Sequence, residues 1–302
     1  MKNRNLRFNP HAVQHVYQKA NDGGVVFYDD LDRIVYFSIS SVMARRYGIV
    51  TLGLSIMITH LHESVIANNQ TQFSRYVQAK TSTFARAYNY RRGRRGVLFR
   101  HRFGSASRKD AKKIRELLAY QYNNHVEKGL CKHPVEARWC FLAYAKSNCP
   151  FSTPIDPGNI SEKLNNALKF VARKRKRDEY LRYSELEKIM NGLSVEEVEQ
   201  LKDYIITQYL FIDFHKAISF YNSFEDMLMA FDSNTGSERV INEEYSSFSD
   251  QDYVKLNKIF EKRGWSHNMI FTMPKDKLRS IAVDLYITYN IDKYAIKKYF
   301  HL

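Results

Sequence analysis

The stretch IVTLGLSIMITHLHESVI, residues 49–66, is the part of this 302-residue chain that most clearly indicates its fold. It is rich in β-branched residues, which favour strands. A single strand is rarely this long, so the sequence predicts two strands that separate around residues 56–59. In the second strand His60 and His62 are two residues apart and project from the same sheet face, whereas Glu63 points to the opposite face.

Segments of helical and strand character surround this pair in an order typical of an α+β fold. Asp29 or Asp30 is the expected N-cap of the helix before it, and Gly93 and Gly96 end the helix after it. The order β-α-β-β-α-β, followed by a further helix, fits a ferredoxin-like antiparallel sheet backed by helices on one face. The predicted elements are a strand at residues 15–19, a helix at 29–47, the two strands of 49–66, a helix at about 70–90, a strand at 97–103, and a helix at about 108–126 that a capping box of Ser107 and Asp110 begins.

A short stretch rich in proline separates this region from the rest of the chain. Residues 147–160 contain Pro150, Pro154, Pro157 and Gly158, which is typical of a linker. We therefore expect two domains: residues 1–150, which contain the sheet, and residues 151–302, an all-α C-terminal domain with DNA binding as one candidate role. Its predicted helices span residues 161–181, 184–191, 194–209, 212–220, 223–231, 249–263 and 275–300, with a polar loop at 232–246. The last helical region is interpreted either as a helical hairpin joined at Asn290 or as a helix-turn-helix.

All of the excess positive charge lies in the first predicted domain. Residues 1–150 carry 25 Lys and Arg against 9 Asp and Glu, whereas residues 151–302 carry 22 against 23. This balance predicts a polyanionic partner, because neutralising phosphates releases their counterions. The sequence has neither an apolar run long enough to cross a membrane nor an apolar signal core at its start. We therefore expect a cytoplasmic protein without a membrane partner.

Two residue patterns carry chemistry. His60-Leu61-His62 on a strand provides two imidazoles, half of a metal site, and phosphoryl transfer favours Mg²⁺ or Mn²⁺, although the spacing itself also allows Zn²⁺. Tyr120 and Asn124 are four residues apart on a predicted helix and share one face. A phenol, with a pKa of about 10, is a poor nucleophile unless its phosphate target is polarised. A divalent ion beside Tyr120 would polarise that target, and the Asn124 amide oxygen is a suitable hard ligand.

Six blocks of sequence carry a family resemblance over roughly residues 8–145, about half of the chain. The blocks are residues 15–21 (HVYQKAN), 27–30 (FYDD), 47–48 (YG), 57–62 (MITHLH), 98–103 (LFRHRF) and 120–130 (YQYNNHVEKGL). Together they resemble the REP-associated tyrosine transposases, relatives of the single-tyrosine HUH transposases. The resemblance implies that His60 and His62 are the metal ligands of the HUH motif and that Asn124 is the third, amide-bearing ligand. It also implies that Tyr120 attacks a DNA phosphate and forms a 5′-phosphotyrosine link.

The chain departs from the family pattern at two places beside these residues. It has Ile58-Thr59 where the family has Pro-Asn before the first histidine, and His125 where the family has a proline after the asparagine. Neither change removes a catalytic group, but both alter the turn next to the site. The resemblance implies a metal-dependent transposase that nicks and joins single-stranded or hairpin DNA and acts as a monomer or homodimer. The alternative is a non-catalytic protein that binds hairpin DNA or RNA through the same basic domain.

A basic and aromatic segment predicts further contacts with DNA. Residues 88–96 interleave tyrosine, arginine and glycine and precede a predicted edge strand with more arginines. Arginine contacts phosphates and stacks on exposed bases, and tyrosine offers a second stacking plane. We expect these residues to form an exposed clamp on single-stranded or hairpin DNA. The predicted contacts are Tyr88, Arg91, Arg92, Arg94, Arg95, Arg100 and Arg102.

Overall fold

The computed structural model describes residues 8–100, 104–233 and 250–302. The first half contains four strands and three helices: β1 Val13–Lys19, α1 Asp30–Arg46, β2 Val50–Ile56, β3 His60–Ile66, α2 Gln70–Arg92, β4 Gly104–Arg108 and α3 Ala111–Glu127. Three 3-10 turns follow, at Pro134–Glu136, Arg138–Cys140 and Leu142–Ala145. The helices of the second half are α4 Glu162–Lys176, α5 Tyr183–Met190, α6 Val195–Gln208, α7 Phe214–Ile218, α8 Phe224–Ser233, α9 Gln251–Lys262, α10 Met269–Thr272, α11 Lys275–Tyr289 and α12 Lys293–Tyr299.

The strands form one antiparallel sheet in the order β2-β3-β1-β4. The prediction that residues 49–66 divide into two strands is confirmed, with the break at residues 57–59. β3 is central, so His62 pairs with Tyr17 on one side and with Ser55 on the other. An antiparallel sheet combined with many helices confirms the α+β class.

Helices cover both faces of this sheet, whereas the sequence predicted helices on one face. On one face Glu63 accepts hydrogen bonds from the Tyr76 hydroxyl and the Lys80 ammonium group of α2. Glu63 therefore points away from the histidines, as the strand alternation predicts. On the opposite face α3 crosses β2, where the Tyr122 hydroxyl donates to the Leu52 carbonyl at 2.9 Å. The histidine face of the sheet is thus enclosed by α3.

Gly53 allows α3 to approach β2 closely. A Cβ atom at this position would lie 2.6 Å from Gln121 Nε2 and 3.0 Å from the Tyr122 hydroxyl. The pairing of β2 with β3 also shifts register between Thr51 and Gly53, which is the signature of a β-bulge. Gly53 and the bulge beside it therefore let the helix that carries Tyr120 pack closely against the sheet.

The fourth strand corrects the sequence prediction. The regular strand is Gly104–Arg108, paired with β1, whereas residues 97–100 of the predicted strand 97–103 form no regular strand. Ser107 lies within β4 instead of capping α3. Asp110 alone caps α3 by accepting from the Lys113 amide. Glycine, serine and alanine have low strand propensity, so only pairing with β1 specifies this edge strand. Phe99 makes an isolated bridge to Ala20, and residues 101–103, including Arg102, lie outside the described part of the chain.

The second half is built of helices at nearly all the predicted places. Helix α4 ends at Lys176, before the predicted residue 181, because Asp178 adopts a left-handed conformation (φ 53°) and binds Arg45 at 2.6 Å. The predicted region 275–300 is two helices, and Asn290 ends the first with φ 49°. Helix α10 was not predicted. Of the described helices, none is both long and apolar enough to cross a membrane.

One apolar cluster includes residues from both predicted domains. It joins Phe37 and Phe141 to Leu164 and Leu201 across the proline-rich segment. A second cluster packs the end of the chain against the first half, with Tyr28 beside residues of α9, α11 and α12. The division at residue 150 stays a prediction, and the described halves share their largest core.

Candidate active site

Strand β3 and helix α3 bring together the two histidines and the tyrosine that the sequence singled out. The ring centroids of His60 and His62 lie 5.0 Å apart. The Tyr120 ring meets His62 edge-on, with centroids 5.3 Å apart and planes at 89°. Two imidazoles from a sheet and a phenol from a helix therefore lie close together, although Tyr120 follows His62 by 58 residues in the chain.

Hydrogen bonds fix both imidazole rings. His60 Nδ1 lies 2.9 Å from the Thr59 hydroxyl, and His62 Nδ1 lies 3.0 Å from His15 Nε2. Hydrogen bonds of this kind orient a metal-binding histidine through the nitrogen that does not bind the metal. Because Nδ1 is engaged in both rings, Nε2 is the atom that each would present to a ligand.

His15 is a site residue for which the sequence predicted no role. It lies on β1, with its ring stacked on His62 (planes 1° apart) and edge-on to Tyr120 at 6.1 Å between centroids. His15 and Tyr17 are two residues apart, so they share the sheet face that carries His62, the cross-strand partner of Tyr17. The signal was available in this spacing, but it required knowledge that β1 pairs with β3.

Asn124 lies one helical turn beyond Tyr120, and its amide nitrogen donates to the backbone of its own helix. The acceptors are the carbonyls of Tyr120 at 2.9 Å and Gln121 at 3.3 Å. Within the described ranges, no group of three or more His, Cys, Asp or Glu side chains is arranged to hold a metal ion. The role of Asn124 as third ligand stays a prediction.

The site is enclosed. His60 is 6% exposed, Tyr120 is 2% exposed and His62 is fully buried. On the same sheet face, Tyr17 and Lys19 are only half-buried. The Tyr17 ring lies 5.0 Å from that of His62 and 5.5 Å from that of His60, measured between centroids. The β1 residues beside the histidines are therefore more exposed than the histidines themselves.

The residue that departs from the family pattern, His125, lies behind the site. Burial, together with the nearby positive charge of Arg33, lowers its pKa to about 3. His125 is therefore neutral at pH 7, and its Nδ1 lies 3.4 Å from the hydroxyl of Ser55, the cross-strand partner of His62. It adds a polar but uncharged contact between α3 and the sheet.

The structure corrects the expectation of DNA contacts for three residues of the predicted clamp, Tyr88, Arg91 and Arg92. Tyr88 is fully buried and Arg92 is 2% exposed, both on α2. Arg92 binds Asp32 at 2.6 Å and Asp29 at 3.0 Å, and Arg91 binds the same two carboxylates. These arginines belong to a structural ion-pair network, because α2 continues to residue 92 and turns them towards the N-terminus of α1.

The remaining arginines of the predicted clamp lie beyond Gly93, which ends α2 with φ 63°. Arg94 donates to the Val97 carbonyl at 2.8 Å and to Asn89 at 3.1 Å, so it braces the turn. Arg95 and Arg100 are exposed. A contact with DNA stays a prediction for these residues, and Arg102 lies outside the described residues.

Comparisons with known proteins give one structural similarity. No protein-family model matches the chain, and no curated protein matches it. Among solved structures, a chain described as "Structure of the REP associates tyrosine transposase bound to a REP hairpin" is similar at 15% sequence identity and a TM-score of 0.41. The similarity covers 53% of this chain and 96% of that chain. Similarity at this level carries no conclusion about the activity of this chain.

Proposed function

We propose that the chain is a metal-dependent enzyme that nicks and rejoins single-stranded or hairpin DNA through a phosphotyrosine intermediate on Tyr120. The observation that carries the proposal is the contact of the Tyr120 ring with His62, 5.3 Å between centroids, beside a second imidazole from the same strand. The sequence resemblance to REP-associated tyrosine transposases assigns these same three residues to the reaction. The basic first half supplies the charge that DNA requires.

The fold supports the same proposal. The element order β-α-β-β-α-β and the strand order β2-β3-β1-β4 are those of a ferredoxin-like sheet, which we propose as the framework of the catalytic domain. The helices that follow residue 150 would then form an added domain. Neither proposal depends on the number of subunits.

The residues present fit a divalent ion. His60 and His62 each have Nδ1 held by a neighbour, so Nε2 is the nitrogen that each would offer, and imidazole binds several first-row divalent metals. An ion bound there, Mg²⁺ or Mn²⁺, would polarise a scissile phosphate. His15 and Thr59 would orient the two ligands, and the Asn124 amide oxygen is the proposed third donor.

The reaction conserves bond energy without ATP. The Tyr120 phenolic oxygen forms a bond to phosphorus, the bond from phosphorus to the 3′-oxygen breaks, and the 3′-oxygen receives the phenolic proton in net terms. The 5′-phosphate then stays on Tyr120. The reverse step, with a new 3′-hydroxyl as nucleophile, rejoins the strand and restores the phenol.

A covalent-adduct assay tests the proposal. Labelled hairpin DNA with a single-stranded flank is incubated with Mn²⁺ and the wild type, Tyr120→Phe or Tyr286→Phe, and denaturing gels report protein-linked label. Tyr286, on α11, is 51% exposed and serves as the matched control. We expect an adduct with the wild type and Tyr286→Phe and none with Tyr120→Phe. An adduct that persists in Tyr120→Phe would exclude this nucleophile.

A non-catalytic DNA- or RNA-binding protein is the second candidate, and burial of the site is the observation that favours it. Tyr120 at 2% exposure and His62 at 0% must become accessible before a phosphate reaches them. If the protein only binds nucleic acid, the wild type gives no adduct. The Tyr120→Phe variant then binds the hairpin as tightly as the wild type does. The same assay therefore separates the two functions.

A further inference from the structure

A cavity of about 210 Å³ lies behind the candidate active site. Ile56 at the end of β2 and His125 of α3 form one side, and Val254 of α9 and the 3-10 turn Arg138–Cys140 form the other. Two guanidinium groups, those of Arg33 and Arg138, line it together with the Trp139 ring. No carboxylate is among the described side chains that line this cavity.

Both arginines keep an unsatisfied donor. Arg33 is 8% exposed and Arg138 is partly buried, yet the Nε of each is buried and has no hydrogen-bond partner among the residues that the structure describes. A buried donor without a partner costs free energy, and a charged donor costs more than a neutral one. In native structures such a donor usually has an acceptor, which can be a protein group, a water molecule or a bound ion.

The other nitrogens of these guanidinium groups lie near protein acceptors, although Arg138 Nη2, like the two Nε atoms, makes no hydrogen bond to the described residues. Arg33 donates from Nη2 to the Phe27 carbonyl at 3.1 Å and lies 3.6 Å from Asp30. Arg138 binds Glu199 and lies 3.2 Å from Asp203. Lys202 in turn binds Asp30 and Glu199. Three cations face three carboxylates in this cluster, so an anion would be recognised by the unsatisfied donors rather than by excess charge.

We propose that this cavity is a binding site for a phosphate group, held by Arg33 and Arg138. A guanidinium offers planar, fixed donors that match phosphate oxygens, and charge-assisted hydrogen bonds of this kind are stronger than neutral ones. The His125 ring also lines this cavity. The site differs from the histidine and tyrosine site, and its occupancy does not require the proposed nicking reaction.

Two sources share this chemistry, the diester backbone of DNA and a free phosphate monoester. The position favours a link to the proposed reaction, because His125 follows Asn124 directly and Ile58 precedes His60 by two residues. A phosphate held here would brace the turn before His60 and the helix that carries Tyr120. The test therefore compares the two phosphate classes.

Trp139 provides the readout, since it lines the cavity and the only other tryptophan is Trp265. In a Trp265→Phe background, Trp139 fluorescence is titrated with inorganic phosphate, dimethyl phosphate and sodium chloride at matched ionic strength. We expect a saturable change with at least one phosphate and none with chloride. Saturation by dimethyl phosphate identifies the diester backbone as the source, whereas saturation by inorganic phosphate alone identifies a free monoester.

Two variants link the change in fluorescence to the cavity. Arg138→Met removes one cation, and Val254→Phe fills the space while retaining both arginines, which covers the case in which Arg138→Met fails to fold. Each should weaken phosphate binding about tenfold or more, whereas Arg279→Met, an exposed arginine on α11, should leave it unchanged. The proposal is overturned if no phosphate gives saturation, or if Val254→Phe binds phosphate as the background protein does.

Discussion

His15 Nε2 lies 3.0 Å from His62 Nδ1, and the two imidazole planes are 1° apart. If His62 is to bind a metal through Nε2, its neutral tautomer carries the proton on Nδ1. His15 then accepts that proton's hydrogen bond through Nε2 and must itself be protonated on Nδ1. Under the proposed function the contact would hold His62 in the tautomer that suits a ligand, and His15 would be a positioning residue rather than a catalytic one.

Replacing His15 should weaken metal binding without unfolding the protein. Removal of the hydrogen-bonding partner of a metal ligand typically lowers metal affinity about 10–100-fold, so His15→Ala should bind Mn²⁺ that much more weakly than the wild type in isothermal titration calorimetry. His15→Gln, which keeps an acceptor oxygen, should recover part of the affinity. His133→Ala, at an exposed histidine, is the matched control. Equal Mn²⁺ affinity in the wild type and His15→Ala would reject the positioning role.

Gly53 should be intolerant of a side chain. Gly53→Ala places a Cβ 2.6 Å from Gln121 Nε2 and 3.0 Å from the Tyr122 hydroxyl, whose bond to Leu52 holds it in place. Overpacking of this kind costs about 1–3 kcal/mol, and relief requires α3 to move away from β2. Urea unfolding should show the decrease in stability, and the adduct rate should fall because Tyr120 moves with α3. Gly158→Ala, whose nearest contact is an ordinary 3.4 Å, should leave both measurements unchanged.

The sequence predicts those parts of the fold whose signals are local. Asp29 caps α1 and Gly93 ends α2 as expected, because capping depends on residues within one turn. The edge strand β4 escaped prediction because its polar residues become a strand only through pairing with β1. His15 was missed for the same reason, since the pairing of β1 with β3 brings it to His62. Burial of Arg92 likewise depends on Asp29 and Asp32, which lie some 60 residues away.

Acidification should destabilise the protein through His267. Burial, and to a smaller extent the nearby positive charge of Arg92, lowers the pKa of His267 to about 4. The unfolded chain, with a histidine pKa of about 6.5, binds more protons between these two values, so stability is full above pH 6.5 and falls as the pH drops towards 4. The linkage amounts to about 2 kcal/mol at pH 5.

Urea unfolding at pH 7 and pH 5 measures this effect. His267→Gln, which retains a hydrogen-bonding group near the Tyr299 hydroxyl, should show a smaller decrease in stability between the two pH values than the wild type. His11→Gln, at an exposed histidine, should behave as the wild type does. The same decrease in His267→Gln and the wild type would assign the acid sensitivity to other groups.

Replacing the exposed arginines of residues 88–100 should weaken DNA binding, whereas replacing the buried arginine, Arg92, should lower stability instead. Arg95 and Arg100 are exposed, so Arg95→Gln with Arg100→Gln should weaken hairpin binding and reduce the slope of log affinity against log salt by about 0.7 for each phosphate that is no longer neutralised.

Arg92→Met instead leaves the fully buried Asp32 without its closest cation, at 2.6 Å, and should cost about 3–5 kcal/mol of stability. Its salt slope should stay that of the wild type wherever the variant is folded, because Arg92 faces carboxylates rather than solvent. Fluorescence anisotropy with a labelled hairpin at several salt concentrations measures both slopes. If the slope flattens in Arg92→Met and not in the Arg95→Gln, Arg100→Gln variant, residues 91–92 rather than Arg95 and Arg100 contact the DNA.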